Sequence, residues 1–257
     1  MVNFRRGCAL LLIAYILSAC GGSKVMKEPE PLIIAKPLAT ASDQRLRADL
    51  DWIIYRDGPG SWAENVDWDE YLLRVQNTTD CRIRITDVVV FDSTDTRIER
   101  AGNRHQLVEG TKQTKSRYKD EGLAVNAGPG LLMIAGTAAA GVTGVALGVA
   151  SAGYFGATAG ATVGIATASI ILLPVLAIDG VARGMNNQQV DQQINLRQTL
   201  FPSVLHPAQE LHLDLFFPLA PSPRQIEVTY VDCENIHTLV IDTRSALDGL
   251  HILDTDR

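Results

Sequence analysis

Tyr71-Leu72-Leu73-Arg74-Val75-Gln76-Asn77-Thr78-Thr79-Asp80-Cys81-Arg82-Ile83-Arg84-Ile85-Thr86 is the stretch on which the fold turns. Tyr71, Leu73 and Val75 alternate with Arg74 and Gln76. Ile83, Ile85, Val89 and Phe91 then alternate with Arg82, Arg84 and Thr86. A period of two puts successive side chains on opposite sides of a strand, so each run has one apolar and one wet face. Asn77, Thr78, Thr79 and Asp80 between them supply turn chemistry, because short polar side chains satisfy the backbone locally. Trp52, Trp62 and Trp68 surround the first strands and read as core or rim aromatics. Asp67, Asp69 and Glu70 read as an exposed turn at a strand entrance.

The signal returns late in the chain. Leu211, Leu213, Leu215 and Phe217 alternate with His212, Asp214 and Phe216, which places His212 on the wet face. Ile226, Val228 and Tyr230 alternate with Gln225, Glu227 and Thr229, and Leu239 with Ile241 marks a further short strand. Pro218, Pro221 and Pro223 confine the connection between them to a sheet margin. Each half forms a thin sheet with one apolar face, and two such sheets bury those faces against each other. The expected fold is mainly β with an α-helical insertion: an immunoglobulin-like β-sandwich interrupted by a Gly/Ala-rich hydrophobic helical hairpin. Its halves are residues 49–103 and 201–257, and the insertion is 104–200.

The insertion is defined by an absence of charge. Residues 122–178 contain no Asp, Glu, Lys, Arg or His. One helix of that length would run about 85 Å, against a hydrocarbon core of about 30 Å, so two spans joined by a turn are expected over about 130–178. They are placed near 130–150 and 157–178, with the turn around Gly153, Tyr154, Phe155 and Gly156. Every fourth residue from Gly136 to Ala168 is glycine or alanine, including Gly144, Gly148, Gly156, Gly160 and Gly164. At that spacing small residues line one helix face and let two backbones approach closely. The stretch resembles the hairpin of glycine-zipper two-transmembrane lipoproteins of bacterial envelopes. Its small-residue face predicts homo-oligomerisation. A basic stretch from Arg104 to Lys119 precedes it. A polar helical stalk follows, with Met185, Val190, Ile194 and Phe201 as a rough stripe.

The first residues carry an address. Arg5 and Arg6 precede an apolar run from Cys8 to Leu17, too short to span a bilayer, and small residues follow. Leu17-Ser18-Ala19-Cys20 resembles the lipobox of bacterial lipoproteins. That resemblance implies a signal peptide over 1–19, diacylglycerol on the Cys20 thioether and an acylated new amino terminus. Gly21 after the lipidated cysteine implies the outer membrane, facing the periplasm. Residues 20–48, with scattered Pro29, Pro31 and Pro37, read as a lipidated tether. Cys81 and Cys233 are the two cysteines left for an oxidising compartment, and a disulfide between them is expected.

A net charge of -6 advertises no nucleic-acid partner. No nucleophile elbow, phosphate loop, zinc-protease motif or paired Cys-x-x-Cys appears. His105, His206, His212, His237 and His251 are dispersed. No catalytic residue, metal site or cofactor is expected. The expected function is a non-enzymatic envelope lipoprotein. It is a membrane-anchored scaffold that self-associates through the hairpin and presents a periplasmic β-domain to other envelope proteins. The alternative is a membrane-active component of a secretion or transport assembly.

Overall fold

The alternation at Tyr71, Leu73 and Val75 becomes a ten-residue strand at the centre of the molecule. The computed structural model describes residues 26, 27, 29, 32–131, 169–171, 186–233 and 235–253. Among these, the strands are β1 (Leu32–Ile34), β2 (Ala39–Ser42), β3 (Leu46–Ile54), β4 (Trp68–Asn77), β5 (Ile83–Phe91) and β6 (Arg97–Glu99). After α1 (Arg104–Asp120) come β7 (Ser169–Ile171) and α2 (Asn186–Arg197). The chain continues through β8 (Ser203–Leu205), β9 (Glu210–Pro218), β10 (Gln225–Asp232), β11 (Asn235–Asp242) and α3 (Arg244–Leu247). The protein is mainly β, and every strand pair is antiparallel.

Two sheets share one apolar core. One has the order β2-β3-β4-β9. The other runs β11-β10-β5, with β6 and β8 both pairing the far edge of β5. Leu50, Tyr71, Leu73 and Leu215 from the first sheet pack with Ile85, Val90, Val228 and Ile241 from the second. Burying such side chains is the main stabilising term, about 1.5–3 kcal/mol for each large aliphatic or aromatic one. The sheets do not correspond to the two halves of the sequence. β9 joins β4 over Trp68↔Pro218 to Gln76↔Glu210, and β10 joins β5. The reason is the link from Asn77 to Ile83, which carries the chain from one sheet to the other. Each sheet is then left with an edge that only late strands can satisfy.

Three expectations are corrected here. Residues 32–48 are not a free tether: β1 and β2 lie within them and β3 begins at Leu46. Leu32 and Ile34 pack on Trp52, Ile54 and Leu72, a period-two signal shortened by flanking Pro31 and Pro37. The second predicted span also fails at Ser169–Ile171. That segment is extended and pairs Leu32–Ile34, using backbone groups a helix would have satisfied internally. Asp69 and Glu70 are buried rather than exposed: Glu70 lies on the outer face of its sheet under Trp62 and Arg197, and Asp69 lies on the core face against His251. Cys20, Gly136, Gly144, Gly148, Gly156, Gly160 and Gly164 lie outside the described residues. Among the described residues no helix is long and apolar enough to cross a membrane.

The flanks behave as their composition suggests. The basic stretch is α1, capped by Asn103, whose side chain accepts from the Gln106 amide at 3.0 Å. The polar stalk is α2, anchored by Val190 and Ile194, both fully buried.

Candidate functional site

At one end of the domain the 55–67 loop, between β3 and β4, gathers three distant parts of the chain. The Lys27 amide donates to the Trp62 carbonyl at 2.9 Å, Met26 bridges Ala63, and Lys27 pairs with Asp57. The segment entering the uncharged stretch is held there too, with the Arg56 amide on the Ala127 carbonyl at 3.2 Å. The segment leaving that stretch arrives as α2. Val190 and Ile194 pack with Trp62, Val66, Leu107 of α1 and Phe216 of β9, and Met26 joins the same cluster. Trp62 meets Phe216 edge to face at 6.4 Å between ring centroids.

The entering segment is fixed by a buried pair. His251 and Asp69 are both fully buried, 2.8 Å apart at Nε2 and Oδ2, while Nδ1 lies 2.7 Å from the Gly128 carbonyl. A carbonyl only accepts, so Nδ1 carries a proton, and a second proton lies between Nε2 and the carboxyl. Burial pushes the Asp69 carboxyl up, and His251 opposes that rise. Both ring nitrogens are engaged, which fixes the ring and clamps the entering segment to the core. Gly130 completes the clamp. Its φ is +63°, and a Cβ there would sit 2.4 Å from the Ile252 carbonyl oxygen, so no other residue fits.

A second buried network lies on the outer face of the β2-β3-β4-β9 sheet. Glu70 accepts from Trp62 Nε1 at 2.6 Å and from Arg197 Nε at 2.9 Å, with Arg197 Nη2 also on Oε1. Asp214 stands 3.8 Å from Arg197 Nε. Two carboxyl groups share one guanidinium with almost no water. Burial, then the neighbouring Glu70 charge, push the Asp214 carboxyl well above its ordinary range, and Arg197 offsets only part of that. The backbone of Asp214 holds Thr199, two residues past the end of α2. Its amide donates to Thr199 Oγ1, and its carbonyl accepts from the Thr199 amide, both at 2.8 Å. These contacts also seal the edge of β9. Further along this face Arg74 pairs with Asp49 and Asp51, and His212, half-buried, is held below its ordinary range by burial.

The opposite end of the domain is closed by Asn77. Its Nδ2 donates to the carbonyls of Cys81 at 2.7 Å and His206 at 3.1 Å, and its Oδ1 accepts from the Thr79 amide at 2.9 Å. This is the turn expected from the sequence. Arg45 and His237 both reach Asp232, tying the β2–β3 turn to the β10–β11 hairpin. Cys81 and Cys233 share this end but are not joined. Ile83 pairs Asp232, so Arg82 falls opposite Cys233 and the two sulfurs are one residue out of step.

Sequence reading missed Asp69, Glu70, Arg197, Asp214 and His251. Glu70 and Asp214 sit where alternation predicts a wet face, and only the helices folded over that face bury them. Charged residues flanked by Trp62, Trp68 and Phe216 were the available signal. Among the described residues no cluster of three or more His, Cys, Asp or Glu is placed to hold a metal ion. No family model, curated protein or solved structure matches the chain.

Proposed function

We propose that this chain is a non-enzymatic envelope lipoprotein, held to the outer membrane by acylated Cys20 and by its uncharged stretch. Its β-domain, read as an immunoglobulin-like sandwich, stands in the periplasm as a scaffold for other envelope proteins. The observation that carries this reading is the convergence on the 55–67 loop. The tether, the entry to the uncharged stretch and the exit from it all meet at that loop. A domain anchored twice on one surface requires all three at one end. With Ser169–Ile171 extended, the second arm of the hairpin keeps about twelve residues, or about 18 Å, short of the ~30 Å core. Packing against copies of the same small-residue face then supplies what lipid contact alone does not.

The test separates the two anchors. Cells expressing the wild-type chain incorporate labelled palmitate, and the chain floats with outer membranes on a density gradient. Cys20→Ala loses the label. Cys20→Ala combined with deletion of residues 132–168 leaves the membrane fraction. Unaltered processing and flotation of that double variant refutes the proposal. Cross-linking ladders that persist after Gly144, Gly148, Gly160 and Gly164 are all changed to leucine refute the self-association.

A further inference from the structure

The end of the domain farthest from the 55–67 loop carries an open groove of about 450 Å³ on the outer face of the second sheet. It is lined by Arg82, Arg84, Val204, Val231 and Cys233. Register explains how it is built. Arg84 lies directly opposite Val204 on one side and Val231 on the other, and Val231 lies opposite Ile236. Directly opposed residues share a face, so one row reads valine, arginine, valine, isoleucine across four strands. Val204 is 42% exposed and Ile236 is 74% exposed.

Charge distinguishes this row from the rest of the surface. Among the described residues Arg82 and Arg84 are exposed and form no ion pair, whereas the other arginines each have a carboxylate partner. Two residues apart on an extended backbone, the paired guanidiniums stand about 7 Å apart at their bases. Carboxylates at alternate positions of an extended peptide have the same spacing. Such a peptide turns both acidic groups toward the arginines, with Val204 and Val231 flanking the contact and the intervening side chain facing away from the groove.

We infer that this groove is a binding site for an extended acidic segment of a partner protein. Its location, pointing away from the anchored end, rests on the scaffold reading above, but the binding chemistry does not. The full mature chain in detergent is titrated with a fluorescent peptide, acetyl-Thr-Asp-Val-Asp-Val-Thr-amide. A control peptide has both aspartates replaced by asparagine. The acidic peptide binds and weakens as salt rises. Arg82→Ala and Arg84→Ala each lower its affinity about tenfold. Val204→Glu sets a carboxylate opposite Arg84 and lowers affinity by a similar factor with both arginines intact. Melting temperature is followed in each variant. Equal binding of the two peptides, or unchanged binding by the Arg82→Ala/Arg84→Ala variant, overturns the inference. So does loss of self-association in that variant, which would make the groove a contact between copies. None of these results bears on the palmitate and flotation tests.

Discussion

On the outer face of the β2-β3-β4-β9 sheet, Glu70, Asp214 and Arg197 are closed off from water. On the outer face of the β11-β10-β5 sheet, Arg82, Arg84 and Ile236 stand in it. The first face is roofed by α1, α2 and the 55–67 loop, so every charge there must find a partner. Among the described residues the second face has no such roof at its far end, and its arginines are exposed. One domain thus presents a charged interior that fixes structure and a charged exterior open to solvent. In the proposals above, anchoring falls to one end and recognition to the other.

The comparison breaks most visibly if the roofed charges prove dispensable. Arg197→Met strands Glu70 and Asp214 and is expected to cost about 3–5 kcal/mol, read by urea unfolding. His251→Ala removes the clamp on the entering segment. A loss of about 3 kcal/mol is expected, with faster hydrogen exchange at the Arg56 amide, which the Ala127 carbonyl protects. Asp214→Asn goes the other way. The folded-state carboxyl is raised, so its stability is complete below the ordinary carboxylate range and declines as pH rises through the raised value. Asparagine removes that decline. A gain of about 1 kcal/mol, or about 3 °C in Tm, is expected at pH 7, fading as pH approaches 4. Arg82→Ala and Arg84→Ala are expected to change stability by less than about 0.5 kcal/mol, which calorimetry checks.

Strands were legible where apolar and polar residues alternate, as at Tyr71 to Gln76 and at Leu211 to Phe217. The turn at Asn77 was legible because its chemistry is local. The assignment of strands to sheets was not. Whether β9 pairs β4 or β10 depends on edges that form only when distant segments meet. β1 was hidden between prolines, and its partner β7 lies in a run whose composition favours a membrane reading. The buried acids were hidden for a related reason: Glu70 and Asp214 have the alternation of surface residues, and their roof is contributed by α1 and α2. The groove was half legible. Arg82 and Arg84 were seen as one wet face, but that no carboxylate among the described residues pairs with them is a property of the finished surface.

The pairing of β4 with β9 also orders events in time. Arg74 meets Glu210 across a sequence separation of 136, a span that includes the whole uncharged stretch. Closing so long a loop is entropically slow and is rewarded only once both strands are present. The first sheet therefore cannot be completed until the residues beyond that stretch are present, and a chain stalled before β9 would expose the strand β4 as an open template for the wrong neighbour.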